Sequence, residues 1–234
     1  MVRVKICCIK SAEEARLAIG AGASALGFVS EMPSGPGVIG EGTIAKIIAT
    51  VPPPIATFLL TSRTDPAEIT AQQQRCRANT IQICDRLTAE AHLALREALP
   101  GISLVQVVHV SDESSIDEAL ELGRRVDAIL LDSGNQSAPV KELGGTGRTH
   151  DWSLSKRIVQ GSIVPVFLAG GLRADNVEEA LHSTGAFGVD VCSGVRTNGS
   201  LDAEKLSSFM EAVERAAQQI APADRGPTAQ AAGG

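Results

Sequence analysis

The 234-residue chain has no tyrosine, one tryptophan and five phenylalanines, an aromatic share of 3%. Single-stranded nucleic acid is held by stacking its bases on aromatic faces, and this chain has few to offer. A surplus of positive charge is missing as well. Twenty-one Lys and Arg stand against 27 Asp and Glu, a net charge of -6 without a basic stripe. A nucleic-acid backbone needs the opposite balance. No apolar run approaches the ~20 residues of a membrane span, and the N-terminus reads as a strand rather than a leader. The expected location is cytoplasmic, with neither nucleic acid nor membrane as partner. Cys7, Cys8, Cys76, Cys84 and Cys192 are odd in number and lack CxxC spacing, and the four histidines lack ligand spacing. A zinc site needs three or four convergent ligands. No metal is expected, and the cysteines, Cys7 and Cys8 being adjacent, are expected to be free thiols.

What is present is a repeated strand–helix pattern. Hydrophobics at 44% and charges at 21% describe an ordinary globular protein. The length is close to the roughly 250 residues typical of one α/β barrel. Short β-branched runs at residues 2–8, 25–29, 55–60, 80–83, 103–108, 126–131, 164–168 and 187–191 alternate with helical patterns. Ser11 with Glu14 forms a capping box ahead of the first helix, and Asp65-Pro66 opens the third. Eight strands and eight helices with nothing left over predict a (β/α)8 TIM barrel, a single domain over residues 1–219. Residues 220–234, rich in Ala, Gln, Pro and Gly, read as a disordered C-terminal tail.

Two stretches organise the chemistry, VPVFLAGGL at 164–172 and FGVDVCSGV at 187–195. Each is an apolar strand ending in small residues, Gly170-Gly171 in one and Ser193-Gly194 in the other. In a barrel of this kind the loops after strands seven and eight hold a phosphate. Few other strand ends carry titratable groups. Cys7 after strand one and Asp132 after strand six can face each other as base and acid. Cys7 reads equally well as a small buried hydrophobe, and Asp132 has a loop cap as its alternative. Asp190, inside an apolar strand, needs either a structural partner or a ligand. His109 reads as a core or rim histidine ahead of a base. The glycines at 144–147 fit a lid or a plain flexible loop.

Together KIC at 5–7, GFV at 27–29, LLDS at 130–133, GGTG at 144–147, HDW at 150–152, LAGGL at 168–172 and GVDVCSGV at 188–195 resemble phosphoribosylanthranilate isomerase. The motifs keep that family's order across roughly residues 2–217. The resemblance implies an Amadori rearrangement of N-(5′-phosphoribosyl)anthranilate in tryptophan biosynthesis, without metal or cofactor. By the resemblance Asp132 is the general acid and Cys7 the general base, a role for which a thiolate qualifies if its pKa is lowered. Gln82, Gly145 and Asp190 bind substrate, and Gly170, Gly171, Ser193 and Gly194 bind phosphate. The implied partner is a small phosphorylated sugar, taken by a monomer or homodimer.

Three departures stand out. Cys8 replaces the family's glycine in KICG, and Gln82-Ile83-Cys84-Asp85 stands where the family reads QLHG. The third is Met32-Pro33-Ser34-Gly35-Pro36-Gly37, which replaces a segment like PKSPR, whose arginine holds the anthranilate carboxylate. Losing that contact removes ~1.5–3 kcal/mol of charged hydrogen bonding, which Arg63 or Arg86 could restore. The altered loops keep two rivals open: an isomerase acting on a different phosphorylated sugar, and a non-catalytic phosphate-binding barrel.

Overall fold

A computed structural model describes residues 2–133 and 150–220. Eight parallel strands close on themselves in chain order. They are β1 Arg3–Ile6, β2 Ala25–Val29, β3 Ala56–Thr61, β4 Thr80–Ile83, β5 Ser103–His109, β6 Ala128–Asp132, β7 Val166–Leu168 and β8 Gly188–Val191. Each is followed by a helix: α1 Ala12–Gly20, α2 Glu41–Ile48, α3 Pro66–Cys76, α4 Ala89–Ala98, α5 Ser114–Leu122, α6 Trp152–Gly161, α7 Val177–Thr184 and α8 Ala203–Ile220. The barrel is therefore the fold that the alternation predicts.

Local chemistry sets many of these ends. Ser11, Asp65 and Thr88 each accept a hydrogen bond from the N–H three residues on, at the starts of α1, α3 and α4. Pro66 occupies the first turn of α3. The Ser11–Glu14 box closes on one side only. Glu14 turns its carboxylate to the Lys10 and Leu201 N–H groups and to Arg196. Ile220, assigned to the tail from composition, is the last residue of α8, and the tail itself lies outside the described residues. The sequence reading also missed a hairpin, β9 Arg196–Thr197 with β10 Ser200–Leu201. Its signal was Asn198-Gly199, whose φ values of 49° and 77° are those of a tight two-residue turn.

Two cores result from strands that alternate their faces. Val4, Ile6, Leu26, Phe28, Leu59 and Ile81 belong to the larger cluster under the helices. Ala25, Val29, Phe58, Leu60, Val105, Val107, Leu130 and Phe167 fill the barrel interior. Phe58 and Phe167 meet edge to face there, with ring centres 6.2 Å apart. Above this aromatic layer the inward positions change from apolar to chemical.

Candidate active site

The inward positions at the C-terminal ends of the strands surround a cavity of about 70 Å³. Cys7, Gln82, Asp132 and Asp190 line its floor, and Gly170, Gly171 and Ser193 one wall. Gly194 sits behind that wall, packed on the backbone of Leu172. Gly145 lies outside the described residues. His109, at the end of β5, meets the Cys84 carbonyl at 3.4 Å and stays outside the lining, as the rim reading expects.

Burial governs the charges. Asp132 is 7% exposed. Desolvation raises its carboxyl pKa, against the Ser133 N–H that donates to Oδ1 at 2.7 Å and against His109. His109 is its lateral neighbour in the β5–β6 register, and burial holds that imidazole below its ordinary pKa. Asp132 is thus arranged to keep a proton that a solvated aspartate would lose.

The buried Asp190 has a structural partner and one oxygen to spare. Its Oδ2 accepts from Lys5 Nζ at 2.8 Å, while Oδ1 is buried without a hydrogen-bond partner. Register explains the pairing, since Lys5 and Asp190 are direct neighbours across β1 and β8. In the sequence Arg3 and Lys5 alternate with Val2, Val4 and Ile6, which by itself marks Lys5 only as the polar half of a strand. In a barrel that alternation sends Lys5 inward with Cys7, and Lys5 is fully buried.

Cys7 departs from expectation. Burial, helped by the Asp190 charge and opposed by Lys5, pushes its thiol up to about 11. Burial thus works against the lowered pKa that a thiolate base needs.

The expectation of free thiols fails at Cys8 and Cys192, which form a disulfide. Adjacency of Cys7 and Cys8 drew attention to the wrong pair. Closure of the barrel puts β8 beside β1, and the Cα atoms of Cys8 and Cys192 lie 6.0 Å apart across that seam. Cys8 has φ 63°, a left-handed value suited to the glycine it replaces. Arg196 backs the same seam, donating to the carbonyls of Cys7 at 3.1 Å and Cys8 at 2.7 Å. Glu14 anchors that guanidinium at 2.9 Å.

The side of the cavity formed by the loops after β7 and β8 is built from backbone. Gly170 and Gly171 both have positive φ, 85° and 61°, and a Cβ on Gly194 would stand 2.0 Å from the Leu172 carbonyl oxygen. Only glycine allows the two loops this approach. Opposite them the loop after β2 contributes Met32, Ser34, Gly35 and Pro36 to the lining. The two proposed substitutes for its lost arginine are engaged elsewhere. Arg63 pairs with Glu68 at 2.9 Å and Arg86 with Glu118 at 2.7 Å, and neither lines the cavity.

Comparison with known proteins agrees with these features. The family profile described as N-(5'phosphoribosyl)anthranilate (PRA) isomerase matches residues 4–212. A protein of Halorubrum lacusprofundi named N-(5'-phosphoribosyl)anthranilate isomerase is 36% identical over 213 residues, 90% of this chain and 95% of that one. The crystal structure of phosphoribosyl anthranilate isomerase from Thermotoga maritima superimposes with a TM-score of 0.80 at 29% identity, covering 92% of this chain and all of that one. A crystal structure of such an isomerase with reduced 1-(o-carboxyphenylamino)-1-deoxyribulose 5-phosphate gives a TM-score of 0.77 at 28% identity, with the same coverage. With matches this long on a barrel of this form, the chain belongs to the phosphoribosylanthranilate isomerase family.

Proposed function

We propose that this barrel isomerises N-(5′-phosphoribosyl)anthranilate to the 1′-deoxyribulose form, in tryptophan biosynthesis. The observation that carries the reading is a buried Asp132, its carboxyl pKa raised by desolvation, and an inward Cys7 at one cavity floor, beside a wall of positive-φ glycines. The Asp132 carboxyl gives its proton to the ribose ring oxygen as the C1′–O bond breaks, leaving an iminium at C1′ and nitrogen. Cys7, as thiolate, then takes the C2′ proton. The C–H electron pair becomes the C1′–C2′ double bond, and the iminium pair returns to nitrogen. The resulting enolamine tautomerises to the ketone. Gly170, Gly171, Ser193 and Gly194 hold the 5′-phosphate, while Gln82 and Asp190 take sugar hydroxyls. The buried, partnerless Oε1 of Gln82 and Oδ1 of Asp190 support those two roles.

The arginine-free loop after β2 favours one second reading, the same chemistry on a different phosphorylated sugar. Calorimetric binding of the reduced carboxyphenylamino-deoxyribulose 5-phosphate to the purified chain separates the two. The isomerase reading expects binding tighter than inorganic phosphate by at least about a hundredfold, because the aromatic end adds contacts that phosphate lacks. Binding no tighter than phosphate would reject anthranilate as the aglycone.

A further inference from the structure

Lys5 is the most deeply buried charged side chain among the described residues, and its ammonium serves two acceptors. It donates to Asp190 Oδ2 at 2.8 Å and to Cys7 Sγ at 3.5 Å, and it lies 5.2 Å from the centre of the Phe58 ring. Gly27 on β2 makes room for this arrangement. A Cβ there would stand 2.9 Å from Cys7 Sγ and 3.0 Å from Lys5 Nζ. The titratable groups acting on this centre are Lys5 on β1, Asp190 on β8, Cys84 just after β4 and Asp132 on β6, the last beside His109 on β5. From β2, β3 and the end of β7 the lining supplies uncharged Val29, Leu60 and Ala169.

We propose that Lys5 is a positioning residue for Cys7, and that Asp190 controls its hold on the thiol. A ligand hydroxyl donating to the partnerless Asp190 Oδ1 disperses the carboxylate charge and frees the ammonium to stabilise a Cys7 thiolate. Without that hydroxyl Cys7 stays an unreactive thiol, and the base forms when the sugar arrives. This deepens the isomerase reading and rests on Cys7 being its base.

The test follows thiolate absorbance against pH in the full chain, with Cys7→Ser subtracted as the blank. Wild type is expected to titrate at about 11. Asp190→Asn leaves the Lys5 charge unshared and is expected to lower that midpoint by about 1–3 pH units. Adding Lys5→Met to Asp190→Asn should return it upward by a similar amount. Equal midpoints for the single and double variants would overturn the proposal. Should the buried-charge variants fail to fold, Gly27→Ala decides, since it keeps ordinary backbone geometry. Its methyl group parts thiol from ammonium and should raise the midpoint, whereas an unchanged midpoint would overturn the idea. No turnover is measured, so failure of the isomerase reading would show separately, in the binding experiment above.

Discussion

Asp132→Asn is expected to lower kcat by about 10²–10⁴-fold, the usual worth of a positioned general acid. The amide keeps the shape and the Ser133 N–H contact at Oδ1, yet it has no acidic proton to give the ring oxygen. KM should change little, because phosphate and sugar contacts lie elsewhere in the cavity. The same variant should be more stable at neutral pH. Burial raises the folded-state carboxyl pKa above its unfolded value, so ionised Asp132 penalises the folded state. That penalty is complete above the folded pKa and fades as pH falls toward the unfolded value. Thermal melts of the two proteins should therefore differ most at neutral pH and converge near pH ~4, where even a solvated aspartate is half protonated. A melt difference that grew on acidification would contradict a desolvated acid.

Gly194→Ala is expected to weaken phosphate and substrate binding by about a hundredfold or more. The added methyl would meet the backbone of the loop after β7: the Leu172 oxygen at 2.0 Å, the Leu172 carbonyl carbon at 3.0 Å and the Arg173 Cα at 3.2 Å. No side chain can move aside to absorb that, so the loops after β7 and β8 must separate. Losing two charge-assisted hydrogen bonds to phosphate costs about 3–6 kcal/mol at ~1.5–3 each. Gly42→Ala in α2 is the control. Its methyl meets nothing within 4 Å, so it should leave binding unchanged and add ~0.5–1 kcal/mol of helix stability. Competition by inorganic phosphate, read as an inhibition constant for each variant, measures both. Equal constants for Gly194→Ala and wild type would remove the phosphate from this wall.

The barrel was legible because each strand–helix unit announces itself locally, through β-branched runs and caps such as Ser11 and Asp65. The glycine-rich side of its cavity was legible for the same reason: Gly170-Gly171 and Ser193-Gly194 follow directly on apolar strands. What stayed hidden depends on closure. Asp190 could be seen to need a partner, but only the β1–β8 register names Lys5. The same seam joins Cys8 to Cys192, 184 residues apart, where chain adjacency pointed to Cys7. Whether the Cys7 thiol meets the condition of a lowered pKa was not legible, because spacing shows which residues share a floor and not how dry that floor is. Asn198-Gly199 is a local turn signal, but the two-residue strands beside it are too short for alternation to announce a hairpin.

Turnover of phosphoribosylanthranilate at this site, despite the rewritten loop after β2, is measured by generating that substrate in situ and following the decay of its fluorescence with purified wild-type chain. Rapid decay, lost in Asp132→Asn and in Cys7→Ser, is the result the site predicts. No decay from a folded protein that still binds inorganic phosphate would contradict it, and would assign the cavity to a different phosphorylated sugar.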